Sequence, residues 1–257
     1  MGLSQLNFAG LNKIEVSVMR IQEASKLVAP IALYGAYSGG KDSDTVKLLA
    51  NMAGVPVEWH FHQTTVDPIE VLNYIKGEHP EVIWDRPDRT MYKLIEQDGF
   101  PVRQHKSCCE EFKENGGEGR LVLTGIRWQE SGARKTRSMI EVCTKGVTKK
   151  FLHPIIDWTE REVWEFLDKN NSPRCSLYSE GFKRIGCVLC PNHGADEVQY
   201  ELKRFPAIAK AYRIAFGRFY DRQTEGVKRW KSAEEMWQWW LSRKGQKADS
   251  GQCSMFV

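Results

Sequence analysis

The chain has 257 residues, of which 41% are hydrophobic and 27% charged, with a formal net charge of +4. This is an ordinary globular composition, enough for one large α/β domain or a core domain with an appendage, and no run approaches the roughly 18 apolar residues of a membrane helix. The charge is too small to point to nucleic acid by itself, but it suits an anionic substrate if the basic residues converge. The opening "MGLSQLNFAGLNKIEV" has no basic start followed by a long apolar stretch, and position 6 is Leu where a myristoylation signal has Ser or Thr. The expected compartment is therefore the cytoplasm, with no membrane partner.

In chain order, Ile14, Val18, Ile21 and Val28 fall at helical spacing and predict an opening helix over 14–28. "APIALYGAY" then reads as a buried strand. The segment Ser38-Gly39-Gly40-Lys41-Asp42-Ser43 leads from it into "DTVKLLANMA", where Val46, Leu49 and Met52 or Ala53 share one face. "VPVEWHFHQTT" predicts a second strand and "DPIEVLNYIKGE" a second helix with Pro68 near its first turn. "RLVLTGIR" and "KKFLHPII" predict two more strands. Strands alternating with helices imply a mostly parallel sheet covered on both faces.

The second half reads as helical. Thr159 and Glu162 form a capping box before "EVWEFLDKN". "ADEVQYELKRF" and "AIAKAYRIAFGRFYDRQ" follow, separated by Pro206. Ser232 and Glu235 form a further capping box before "MWQWWLSRK", where Met236, Trp237, Trp240 and Leu241 line one side and are expected to be core. "GQKADSGQCSMFV" is small and polar, and is expected to be a mobile tail. The expected division is a nucleotide-binding α/β domain over 1–195 and a helical extension over 196–257.

Two groups of residues carry chemistry. The loop at 38–43 lies between a strand and a helix, where backbone N–H groups and the positive helix end gather on an anion. Gly39 and Gly40 allow close approach, Ser38 and Ser43 can donate, and Lys41 adds a full charge. Asp42 would repel a bare phosphate, so it is expected to orient the loop or hold Mg²⁺. The pattern is not G-x-x-x-x-G-K-[ST]. The second group is Cys108-Cys109 with Cys187-x-x-Cys190, four of seven cysteines. Four thiolates suit an iron–sulfur cluster, a tetrahedral zinc ion or free redox thiols. Adjacent cysteines diverge, which a cluster tolerates better than one ion. Cys175 is a substitute ligand, and Cys143 reads as structural.

S-G-G-x-D-S after the first strand resembles the pyrophosphate loop (PP-loop) of the adenine nucleotide α-hydrolase superfamily. "TGIRWQESGARKTR", "LHPIIDWTEREVWEFL" and "LYSEGFKRIGCVLCP" resemble segments of its phosphoadenylyl-sulfate (PAPS) and adenylyl-sulfate (APS) reductase branch. The resemblance runs from about residue 31 to 195. It implies a Rossmann-like sheet with the nucleotide at the carboxyl ends of the strands. It also implies that Gly125, Arg127, Arg134 and Arg137 join the loop in binding phosphate or sulfate, with Lys41 and Arg127 acting at the reaction centre. A Cys-Cys pair followed by C-x-x-C is the arrangement of the [4Fe–4S] APS reductases.

In that branch a tail cysteine attacks the sulfonucleotide, and a thiol, thioredoxin-like, releases sulfite. Cys253 occupies a comparable place, in "GQCSMFV" rather than Glu-Cys-Gly-Leu-His. A second reading is a PP-loop ATP pyrophosphatase that adenylylates an acceptor, tRNA or DNA, for sulfur insertion from a sulfur donor. The complete loop with Lys41 suits it. A third reading is a non-enzymatic nucleotide-binding, cluster-carrying module of a larger assembly.

Overall fold

The computed structural model describes residue 3 and residues 10–143, 148–224, 226 and 228–244. Its centre is a six-stranded sheet: β1 (Leu33–Ala36), β2 (Val57–His62), β3 (Ile83–Asp85), β4 (Leu121–Leu123), β5 (Ile140–Val142) and β6 (Lys150–Leu152), in the order β3-β2-β1-β4-β6-β5. Every pairing is parallel except β5 with β6. All of β1 and β4 is buried, which is why both read as uninterrupted apolar runs. The antiparallel edge strand β5 exposes Ile140 and Val142 instead.

Chain order reverses between β1 and β4. The loops leaving their carboxyl ends therefore part and open a crevice, the usual ligand position in such sheets. The first loop holds the SGGKDS segment, and the second holds Gly125 to Arg127.

The helices are α1 (Lys13–Val28), α2 (Lys41–Ala53), α3 (Ile69–Glu78), α4 (Met91–Asp98), α5 (Ser107–Phe112), α6 (Glu160–Lys169), α7 (Ala195–Arg204), α8 (Pro206–Arg222) and α9 (Ala233–Ser242). α2 begins at Lys41, three residues before the predicted start, because Ser43 caps the turn through Gly40. Its hydroxyl donates to the Gly40 carbonyl at 2.8 Å and accepts from the Gly40 N–H at 3.2 Å. Thr159 and Glu162 form the predicted box on α6, and Glu162 also takes Lys13 of α1 at 2.9 Å. At α9 only half of the predicted box forms. Ser232 caps Glu235, but the Glu235 carboxylate accepts from the Lys231 N–H rather than that of Ser232.

α8 packs on α4 and α9 packs on α8. Met236, Trp237, Trp240 and Leu241 are buried in the same core as the sheet residues, as their spacing predicts. The Trp240 indole N–H donates to the Pro101 carbonyl at 2.7 Å, tying this helix to the segment before α5. No helix among the described residues is long and apolar enough to cross a membrane.

Candidate active site

The loop after β1 packs closely on α3. Gly39 sits at φ +71°, where a side chain is strained, and a Cβ there would press on Ile75 and Val71 of α3 at 3.1–3.2 Å. Ser38 and Ser43 face each other, with 3.2 Å between their hydroxyl oxygens. The Lys41 N–H donates to the Tyr178 hydroxyl at 2.8 Å, and the Lys41 ammonium donates to the Lys183 carbonyl at 3.1 Å. Asp42 and Glu160 also lie near that ammonium, at 3.6 and 3.5 Å. Lys41 is thus buried but anchored, with the segment after α6 folded over it.

Asp42 pairs with the loop after β4. It accepts from Arg127 Nε at 2.7 Å and so fixes the start of α2 to the loop after β4. Arg127, expected at the substrate oxygens, has its guanidinium on Asp42. It is buried in its pairing with Asp42, approaches the Trp158 carbonyl at 3.5 Å, and is not among the residues lining the cavity. Gly125 lies where the two loops touch. A Cβ there would fall 2.8 Å from the Asp42 Cβ and 2.9 Å from its carbonyl carbon, so only glycine fits.

Arg134 does line the cavity, paired with Glu130, and burial lowers its pKa. Arg137 lies outside the lining and pairs with Glu141 at 3.2 Å. Asp157 is held by Arg20 of α1 at 2.7 Å, and Trp158 is buried with its indole N–H on Ser17 at 3.1 Å, so both serve packing.

Cys108, Cys109, Cys187 and Cys190 all line the same cavity as Ser38, Gly40 and Lys41. Cys108 and Cys109 come from α5, and the other two from the loop before α7. The Cys108 thiol donates to Cys109, which lowers the Cys109 pKa to about 7 and raises that of Cys108. Burial pushes Cys187 up to about 12 and also raises Cys190. Cys187 donates to Thr64 at 3.4 Å. Lys113, one turn beyond Cys109, also lines the cavity. Burial would lower its pKa, but Cys187, Cys109 and Cys190 outweigh burial and raise it. Cys175 is buried outside this lining and Cys143 is half-buried near Phe151. Cys253 lies outside the described residues, as does the whole predicted tail from 245.

The four thiols in this lining are a donor set that either an iron–sulfur cluster or a zinc ion uses. Among the described residues, no three His, Cys, Asp or Glu side chains gather as a metal-ion site. One zinc ion, with Zn–S about 2.3 Å, would need its sulfurs within about 4 Å of one another. A cluster spreads its ligands over separate irons. The Asn192 side-chain nitrogen, in the cavity wall beside Cys190, is buried without a hydrogen-bond partner among the described residues and could donate to a sulfur or oxyanion. Lys113 places a cation beside the thiols.

Sequence reasoning missed several cavity residues, Lys113, Tyr178 and Arg184 among them. Lys113 follows the Cys-Cys pair by one helical turn, a signal that depended on recognising α5. Tyr178 and Arg184 lie within the quoted "LYSEGFKRIGCVLCP", but nothing in that string tells which side chains face inward.

A family model described as the phosphoadenosine phosphosulfate reductase domain matches residues 32–193, well over half of the chain. Among curated proteins, an uncharacterized protein of Methanocaldococcus jannaschii is 27% identical over 227 residues, covering 80% of this chain and 47% of its own length. An adenosine 5'-phosphosulfate reductase of Oceanobacillus iheyensis is 25% identical over 170 residues, covering 63% of this chain and 69% of its own. The chain spans only about half the length of the two Methanocaldococcus jannaschii proteins it matches, 47% and 52%. In fold it is similar to the crystal structure of a phosphoadenylyl-sulfate reductase from Candida auris, at a TM-score of 0.50 and 17% identity, covering 72% of this chain and 98% of that one. The matched span contains the SGGKDS loop, both cysteine pairs and every cavity residue named above, and the chain belongs to the phosphoadenosine phosphosulfate reductase domain family.

Proposed function

We propose that the protein is a sulfonucleotide reductase that binds APS or PAPS between the SGGKDS loop and a [4Fe–4S] cluster held by Cys108, Cys109, Cys187 and Cys190. The observation that carries this reading is the single cavity lined by both the loop and all four thiols. The loop N–H groups, Ser38, Ser43 and Lys41 would take the phosphate, while Arg134, Arg184 and Lys113 add positive charge along the wall toward the cysteines. Arg127 acts as a positioning residue through Asp42. When bound, the cluster would supply a fixed charged centre at the sulfo end of the cavity.

In the reaction, a cysteine thiolate attacks the sulfur of the sulfonucleotide. The S–O bond to the phosphate breaks, and AMP or its 3′-phosphate leaves with the bonding pair. A second thiol then attacks the resulting S-sulfocysteine, expelling sulfite and leaving a disulfide, which an external dithiol reduces. Cys253 is the proposed nucleophile.

The experiment is an anaerobic assay of the full chain with APS, PAPS and ATP in parallel, scoring sulfite and pyrophosphate. Sulfite from APS or PAPS, lost in Cys253→Ser, is the expected result. Pyrophosphate from ATP with no sulfite from either sulfonucleotide would overturn it in favour of an ATP pyrophosphatase.

A further inference from the structure

The C-x-x-C turn that brings Cys187 and Cys190 into the cavity is strained at its centre. Leu189 has φ +57°, a conformation that favours glycine, and is completely buried. A leucine does not hold that conformation without help, and the help comes from beyond residue 193, where the family match ends. On one side, the Leu189 N–H donates to a buried carboxylate oxygen of Glu201, on α7, at 2.8 Å. On the other, Arg243 Nη2 donates to the Leu189 carbonyl at 3.0 Å and to the Cys190 carbonyl at 3.1 Å.

Arg243 is itself in an unusual position. It is the C-cap of α9 at φ +56°, again in the region that favours glycine, yet it is an arginine and is buried. Its Nη1 donates to the Trp240 carbonyl at 2.8 Å, and its guanidinium stacks on the Trp240 ring at 4.3 Å. A glycine would end the helix with less strain. The residue present reaches across instead and uses the fork geometry that lysine lacks. Arg103 completes the set on the far side of the turn, donating to the Pro191, Asn192 and His193 carbonyls at 2.9, 3.3 and 2.9 Å.

We infer that Glu201 and Arg243, from the C-terminal helices, clamp the peptides on either side of Leu189 and thereby set the spacing of the Cys187 and Cys190 thiols. Arg243 is a positioning residue: it meets backbone carbonyls and does not line the cavity. What the two thiols hold rests on the cluster reading above; that they are set by the clamp does not. Removal of Arg243 frees the Leu189 and Cys190 carbonyls, and the turn opens locally while the sheet stays closed.

The test compares the full wild-type chain with Arg243→Gly and Arg243→Lys, each in the metal-free form. Glycine relieves the backbone at 243, so helix ending is not what is lost. Iodoacetamide alkylation under native anaerobic conditions is followed at each cysteine by peptide mass spectrometry, with buried Cys175 as the internal reference. In Arg243→Gly, Cys187 and Cys190 should react about tenfold faster or more, with Cys175 within about twofold of wild type. Arg243→Lys should fall between, since one ammonium cannot span both carbonyls and the Trp240 face. Unchanged rates at Cys187 and Cys190, or a parallel rise at Cys175, would overturn the clamp. If Arg243→Gly fails to fold, Arg243→Lys decides: rates equal to wild type overturn the proposal. A wild-type chain that takes up no iron on reconstitution, while the selective rise persists in the variants, would refute the cluster and leave the clamp standing.

Discussion

The two ends of the cavity are assembled in different ways. The loop end is more local: Ser38 to Ser43 are contiguous and cap one another, with outside contacts that include Tyr178, Lys183, Arg127 and Gly125. The cysteine end is distributed. α5 provides two thiols, the C-x-x-C turn two more, and the turn is held by residues from α7, α9 and the segment before α5. A local device tolerates change in its surroundings, whereas a distributed one can be loosened from far away.

The largest expected effect breaks the distributed end. Cys187→Ser should lose most or all of the iron after anaerobic reconstitution, while nucleotide affinity measured calorimetrically changes little. Equal loss of both would show that the ends are not separable.

Next comes the carboxylate beneath the loop. Asp44 accepts from Tyr37 and Tyr74 on the helix that carries Lys41. Burial raises its pKa from 3.8 to about 7. The folded state therefore binds a proton that the unfolded state has released, and this contribution is present below pH 4 and lost as pH rises through 7. His79, pushed down to about 4 by burial, titrates with the opposite sign below pH 6.5 and partly masks it in the wild type. Asp44→Asn should thus gain stability relative to wild type between pH 4 and 7, by at most about 4 kcal/mol. Paired denaturant titrations at the two pH values measure this, and a difference independent of pH would refute it.

Gly125→Ala tests the junction of the two loops. Overpacking against Asp42 should cost about 1–3 kcal/mol and weaken nucleotide binding, because Asp42 and Lys41 share the first turn of α2. The smallest expected effect is that of Tyr178→Phe. It removes the acceptor of the Lys41 N–H and should cost about 1 kcal/mol, read as a shift in denaturation midpoint.

The same contrast explains what could be read from the sequence. The loop was legible because its residues are adjacent and lie between a clear strand and a clear helix. The parallel sheet was legible from the apolar runs of β1 and β4. The edge strands β3 and β5 are three residues long and expose Ile83 and Ile140, so they left no such run. The resemblance implies Arg127 as a phosphate or sulfate ligand, but which way its side chain turns depends on a partner 85 residues away, Asp42. The four cysteines stood out by spacing. Lys113, Glu201 and Arg243, which surround them, did not: Glu201 lies within α7, Lys113 and Arg243 are the residues that end α5 and α9, and no local pattern tells that such positions reach the cysteines.

The central claim is that one cavity joins the nucleotide loop to a cysteine-held cluster. The most direct test is to reconstitute the full chain anaerobically, to about four irons per chain, and titrate it with APS while recording the visible and Mössbauer spectra. A saturable change in the iron spectrum that follows APS occupancy, and that Lys41→Ala shifts to higher concentration, is the predicted result. APS that binds without altering the iron spectrum, or a colourless chain that holds only zinc, would contradict it.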